Sequence, residues 1–131
     1  MTATVPLRAS LADQLRRLRG DAPDALTDAL LERVELPGGE LLRVRPRSFD
    51  SVREAEALAG PGRPTPYWAS AWPSGTVLAG AVAAAGALEG RRVLELGCGL
   101  GLPSVVAARA GATVLATDAS PEAVVYAAHN L

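Results

Sequence analysis

Leucines recur at positions 7, 11, 15 and 18, with Arg8, Arg16, Arg17 and Arg19 on the other sides. Steps of three and four place the leucines on one stripe, so the pattern predicts an amphipathic helix ended by Gly20. Such a helix docks its apolar stripe on the domain or on a partner. A second short helix is expected over about 24–33. Two short apolar-rich runs, 34–36 and 41–44, flank Pro37-Gly38-Gly39-Glu40 and read as an antiparallel hairpin. Asp50 or Ser51 can cap a helix that runs to about Leu58. The segment 60–66, Gly-Pro-Gly-Arg-Pro-Thr-Pro, is a stiff connector. It divides an N-terminal accessory region, 1–66, from a second region, 67–131.

The pattern changes after the connector. Ser74 can cap a helix from Gly75 to about Leu88, stopped by Gly90. Positions 93–96 form a short apolar strand that runs into Gly97, Gly99 and Gly101. Pro103 sits in the first turn of a helix, where its missing N–H costs nothing, and Gly111 ends that helix. Positions 113–117 are the next strand, closed by Asp118. Ser120 caps a last helix, with Pro121 first and Glu122 in its opening turn. Helix, strand, helix, strand, helix is the order of a right-handed βαβ crossover, hence an α/β fold.

Two parallel strands cannot cover both faces of a sheet. The reading is therefore a truncated, Rossmann-like, mostly parallel sheet that continues past Leu131, with helices and a hairpin as accessory parts. It carries two expectations: bare apolar surface on the strands and on helix 75–88, and a 131-residue chain that is marginally stable and inactive alone.

Composition narrows the class. A chain of 131 residues is about one domain, and 49% hydrophobic with 21% charged residues is globular rather than disordered. A net charge of −1 offers nothing to nucleic acid or an acidic membrane. The apolar run 77–88 is well short of the roughly 20 residues of a membrane span and reads as a buried helix. Arg8 and Asp13 interrupt any export signal. One Cys and one His exclude an internal disulfide and a zinc cluster, which suits a reducing cytoplasm. The 13 basic residues are all Arg, and their scatter along the chain points to coding bias rather than anion binding.

The candidate chemistry lies in Val93-Leu94-Glu95-Leu96-Gly97-Cys98-Gly99-Leu100-Gly101-Leu102. Glycines between a strand and a helix permit positive φ and close approach of a ligand, and the helix start offers free N–H groups. Asp118, at the end of the next strand, falls beside this turn, where a carboxylate can accept both hydroxyls of a ribose. The pair reads as a site for a nucleoside-containing ligand. The dinucleotide spacing G-x-G-x-x-G fits Gly97 and Gly99 but puts its third glycine on Leu102. Glu95, two residues before the first glycine, suits an ammonium better than a pyrophosphate. S-adenosylmethionine has a ribose, an ammonium and no phosphate, so charge favours it over NAD.

The same residues resemble a family. Glu95-Leu-Gly97-Cys-Gly99-Leu-Gly101 matches the E/D-x-G-x-G-x-G motif of class I S-adenosylmethionine-dependent methyltransferases, and Asp118 matches that family's acidic residue after the second strand. Tyr67-Trp68-Ala69-Ser70-Ala71-Trp72-Pro73-Ser74-Gly75, an Ala-rich helix and then the motif look like the lysine methyltransferase-like branch (family 16, the electron-transfer-flavoprotein methyltransferase group). The hairpin is similar to that branch's N-terminal β element, so the resemblance covers about 34–131.

The resemblance implies that Gly97, Cys98, Gly99 and Gly101 wrap the methionine end of the cofactor. Glu95 would orient its amino group, Asp118 would bind the ribose, Ala119 would lie near the adenine, and Trp72 would contact the cofactor. No catalytic residue can be carried over. The implied reaction moves a methyl group to a protein lysine or to a small nucleophile. A nicotinamide-dependent oxidoreductase and a non-catalytic nucleotide-binding module are the alternatives. Cys98 reads as a small turn residue, His129 as a packing residue, Trp68 as core or lid packing, and Arg91-Arg92 as a solvated strand entry.

Overall fold

The computed structural model describes residues 4–20 and 22–131, with side chains from Leu11 onward apart from position 21. The helix of the leucine stripe is α1, Thr4–Leu18. Leu11 and Leu15 are completely buried while Leu18 is half exposed; the side chains of Leu7 and Arg8 lie outside the described residues. The expected helix over 24–33 is corrected. Only Asp24–Thr27 is helical (α2), and Ala29–Leu36 is the strand β1. It pairs antiparallel with β2, Gly39–Pro46, from Ala29 opposite Pro46 to Leu36 opposite Gly39. Ala, Leu and Glu favour a helix, but pairing along the whole of β2 overrides that preference. Gly38, at φ +86, takes the left-handed step of the turn after Pro37.

Helix α3 is Phe49–Leu58. Its cap is Ser48, not Asp50 or Ser51: Ser48 is extended, and its hydroxyl accepts the N–H of Ser51 at 3.1 Å. A single 3-10 turn, Tyr67–Ala69, follows the connector. Helix α4 is Pro73–Ala84, shorter than expected and shifted. Pro73 starts it without a side-chain cap at Ser74, and Gly86, at φ +79, ends it ahead of Gly90.

The second sheet joins β3, Arg92–Leu96, to β4, Thr113–Thr117, in parallel register from Arg92 opposite Thr113 to Leu96 opposite Thr117. Helix α5, Leu102–Arg109, connects them, and α6, Pro121–Asn130, follows β4 with Ser120 as its cap. The hairpin and the parallel pair are separate two-stranded sheets, so the fold is mixed α/β.

Two apolar clusters bind these parts. One joins Leu11, Leu15, Leu26 and Val44 to Leu100 and Tyr126. The other joins Val34 and Leu41 of the hairpin to Ala79 of α4 and to Leu102, Val105 and Val106. Each therefore draws on both sides of the connector. The expectation that 77–88 is a buried helix fails: Ala79 is buried, but Val77 is 73% exposed and Leu78 50%. This helix is apolar all round and meets neighbours on one side only. The alternate positions Leu94 and Leu96 of β3 and Leu115 of β4 are likewise exposed on one face, as the alternation of a strand requires when the other face meets α5. Among the described residues no helix is long and apolar enough to cross a membrane.

Candidate functional site

The C-terminal ends of β3 and β4 meet at the glycine turn. Gly97, Gly99 and Gly101 all have positive φ, at +65, +53 and +82. The N–H of Cys98 reaches Thr117 C=O at 2.8 Å, which carries the parallel ladder one residue into the turn. A Cβ on Gly101 would stand 3.0 Å from that of Ala127, so α6 packs directly beneath the turn and only glycine fits without strain.

Asp118 grips the turn rather than merely lying beside it. Its Oδ2 accepts the N–H of Gly99 at 2.9 Å, and its Oδ1 accepts that of Ser120 at 2.9 Å. On β3, the Glu95 carboxylate accepts a hydrogen bond from the buried Ser104 hydroxyl of α5. The Glu95 carbonyl accepts from Thr117 Oγ1 at 2.9 Å. From the other end of the turn, Asn130 of α6 donates to Leu100 C=O at 2.9 Å. The same amide donates to Val44 C=O and accepts Val44 N–H, at 3.0 and 2.8 Å, so one side chain ties the turn to the hairpin.

Two cavities open on this turn. The first, about 550 Å³, lies between the connector and the end of β4, with Arg63, Pro66, Asp118, Ala119 and Glu122 among its walls. The second, about 400 Å³, lies over β3, with Arg43, Ser70, Glu95, Cys98 and Gly101 among its walls. Trp68, Trp72, Gly97 and Gly99 line both. Every residue that the resemblance assigns to the cofactor borders one cavity or the other: Asp118 and Ala119 the first, Glu95, Cys98 and Gly101 the second, Trp72, Gly97 and Gly99 both. Trp72 is half exposed, with its indole N–H donating to Tyr67 C=O at 2.7 Å. Trp68 packs on Tyr126 with ring centroids 5.4 Å apart, as a packing residue should, and is a cavity wall as well.

Charge is distributed unequally. Burial, then the carboxylates of Asp118 and Glu95, push the Cys98 thiol up to about 11. It is a neutral thiol near pH 7 and no nucleophile. His129 lines neither cavity, and burial lowers its pKa. At the first cavity, Glu56 holds Arg63 at 3.3 Å and also pairs with Arg19 at the end of α1, which stands 3.6 Å from Glu122. At the second, Arg43 and Arg45 share the single carboxylate of Glu32 across the hairpin. Sequence reading missed Arg43, Arg63 and Asn130; of the arginines it took as scattered, Arg63 lines the first cavity and Arg43 the second. Among the described residues no group of His, Cys, Asp and Glu could hold a metal ion.

No protein-family model matches the chain. A stretch of 69 residues is 41% identical to the electron transfer flavoprotein beta subunit lysine methyltransferase of Danio rerio. The match takes in 51% of this chain and 27% of that protein, so the chain spans about a quarter of its relative's length. The likeness is to a methyltransferase.

Proposed function

We propose that residues 67–131 form the first part of a class I, Rossmann-like S-adenosylmethionine-binding domain, with 1–66 as its accessory region. On this reading the protein transfers a methyl group to a lysine of a protein substrate. The observation that carries the proposal is the placing of two carboxylates, Asp118 and Glu95, in two cavities that share one glycine turn. The partial likeness to a lysine methyltransferase supports the same reading and the choice of a protein acceptor over a small one.

The residues fit such a ligand. A carboxylate has about four acceptor positions. Asp118 commits one on each oxygen to backbone N–H groups, which leaves one on each for the two ribose hydroxyls. Glu95 is steadied by Ser104 and faces the other cavity, where an ammonium gains from a carboxylate and a pyrophosphate does not. The bound cofactor supplies a methyl group on a positively charged sulfur. The chain's own contribution is to fix the ligand's ends, so that an incoming amine meets the methyl in line; such positioning is the main source of rate in a displacement of this kind. The tryptophans at 68 and 72 offer apolar walls to the ligand where the two cavities join.

Titration calorimetry with S-adenosylhomocysteine and with NAD tests the cofactor. Binding of the former and not of NAD is expected, and NAD binding of equal strength would overturn the proposal. Labelled cofactor added to a cell lysate tests the acceptor. Label should enter protein and disappear on protease treatment; label confined to small molecules would refute the lysine assignment.

A further inference from the structure

We infer that the connector is a latched strap over the first cavity: residues 60–66 bow away from it on glycine hinges, and the ion pair of Arg63 with Glu56 holds them closed. Arg63, Pro64, Thr65 and Pro66 form one wall of that cavity, and Asp118, Ala119 and Glu122 form another. Pro66 is buried at one end of the strap, and its C=O accepts the N–H of Ala69 at 3.0 Å. At the other end α3 stops at Leu58. Between these anchors, among the described residues, no backbone hydrogen bond ties the connector to another element. A segment held by so little opens without unfolding the rest of the chain.

The sequence divides the strap into a hinged part and a stiff part. Gly60 and Gly62 have φ of +142 and +87. A Cβ at either would meet nothing within 4 Å, so backbone conformation and not packing calls for glycine. Pro64 and Pro66 fix φ over the stretch that walls the cavity. The latch lies where the two parts meet. Glu56 stands on α3 with its side chain 11% exposed, and Arg19 holds its Oε1. Its Oε2 accepts from Arg63 Nη1 at 3.3 Å. The hook therefore stays in place when Arg63 lets go. Arg63 is 36% exposed, so water can replace its bond and the pair favours the closed state only modestly. A ligand in the first cavity touches this wall only when the strap is shut, so occupancy favours the closed state.

Proteolysis of the unliganded chain tests the latch apart from any reading of the ligand. Proteinase K nicks a segment in proportion to how often it opens. Two variants release the strap by different routes. Arg63→Gln removes the latch, and Gly62→Ala strains the closed backbone at a position that lines neither cavity. Nicking within 58–66, located by mass, should be about two- to five-fold faster in each than in wild type, the range of a partly exposed ion pair. High salt should speed the nicking of wild type and leave Arg63→Gln unchanged. A wild-type rate in either variant, or nicking spread over the whole chain in both, would overturn the inference. The second arm rests on the nucleoside reading of the cavity. S-adenosylhomocysteine should slow the nicking of wild type, and it should leave Gly62→Ala faster than it leaves wild type. Faster release from Arg63→Gln alone would mean direct contact of that side chain with the ligand, and no strap. A wild type that does not bind S-adenosylhomocysteine would overturn the nucleoside reading and leave the nicking rates to decide the strap.

Discussion

Both oxygens of Asp118 accept backbone N–H bonds, from Gly99 and Ser120, at 2.9 Å each. The residue therefore sets the shape of the glycine turn as well as offering acceptors to a ligand. Asp118→Ala removes both contributions. Calorimetry should show S-adenosylhomocysteine bound about 1–3 kcal/mol more weakly in this variant. An unchanged affinity would mean that no ribose meets this carboxylate. Position 118 was legible in the sequence because strand length and parallel pairing fix where β4 ends relative to the turn. Its bond to the Gly99 amide was not, because that depends on the φ values of three glycines acting together.

Among the elements, α6 has the most varied duties. Ala127 lies under Gly101, Tyr126 donates its hydroxyl to Leu26 C=O at 2.7 Å, and Asn130 bonds both Val44 and Leu100. Asn130→Ala would leave three backbone groups without this partner. Urea unfolding should show a loss of about 1–3 kcal/mol. A loss below about 0.5 kcal/mol, the range of ordinary surface substitutions, would show that water replaces the amide. The order β3, turn, α5, β4, α6 could be read from the chain because its Gly, Pro and Ser punctuation coincides with the apolar runs. Residues 29–33 could not, since their helix-forming side chains become a strand only when β2 is present to pair with them. Nor could the bare side of α4, whose uniformly apolar sequence does not say which side meets a neighbour.

Across the whole molecule, the hairpin and α1 share their apolar clusters with the glycine turn, so acid sensitivity in either part reaches the site. Burial holds the His129 pKa down. Burial would raise Glu32, but its bonds to Arg45 and Arg43 prevail and lower it. Both groups bind protons more readily when the chain is unfolded, so stability rises with pH across both windows. As pH falls, it should first decline below about 6.5, the ordinary value for histidine, and again below the ordinary carboxylate range. Urea midpoints measured from pH 8 to pH 3 check this, and His129→Gln should abolish the first step alone. Arg43 and Arg63 look scattered along the chain, and only the folded arrangement gathers them at the two cavities.

The chain has two tryptophans, and both stand where the cavities join. Light absorbed at wavelengths that excite indole but not tyrosine is therefore emitted only from the walls of the candidate site. The protein contains its own optical reporter, and no dye is needed to follow occupancy. One indole is half exposed to solvent and the other packs at a tilt against Tyr126. A bound nucleoside should quench and blue-shift the exposed emitter, Trp72, leaving a residual signal from Trp68. With Trp72→Phe, the same titration should lose most of its amplitude while the affinity measured by heat changes far less.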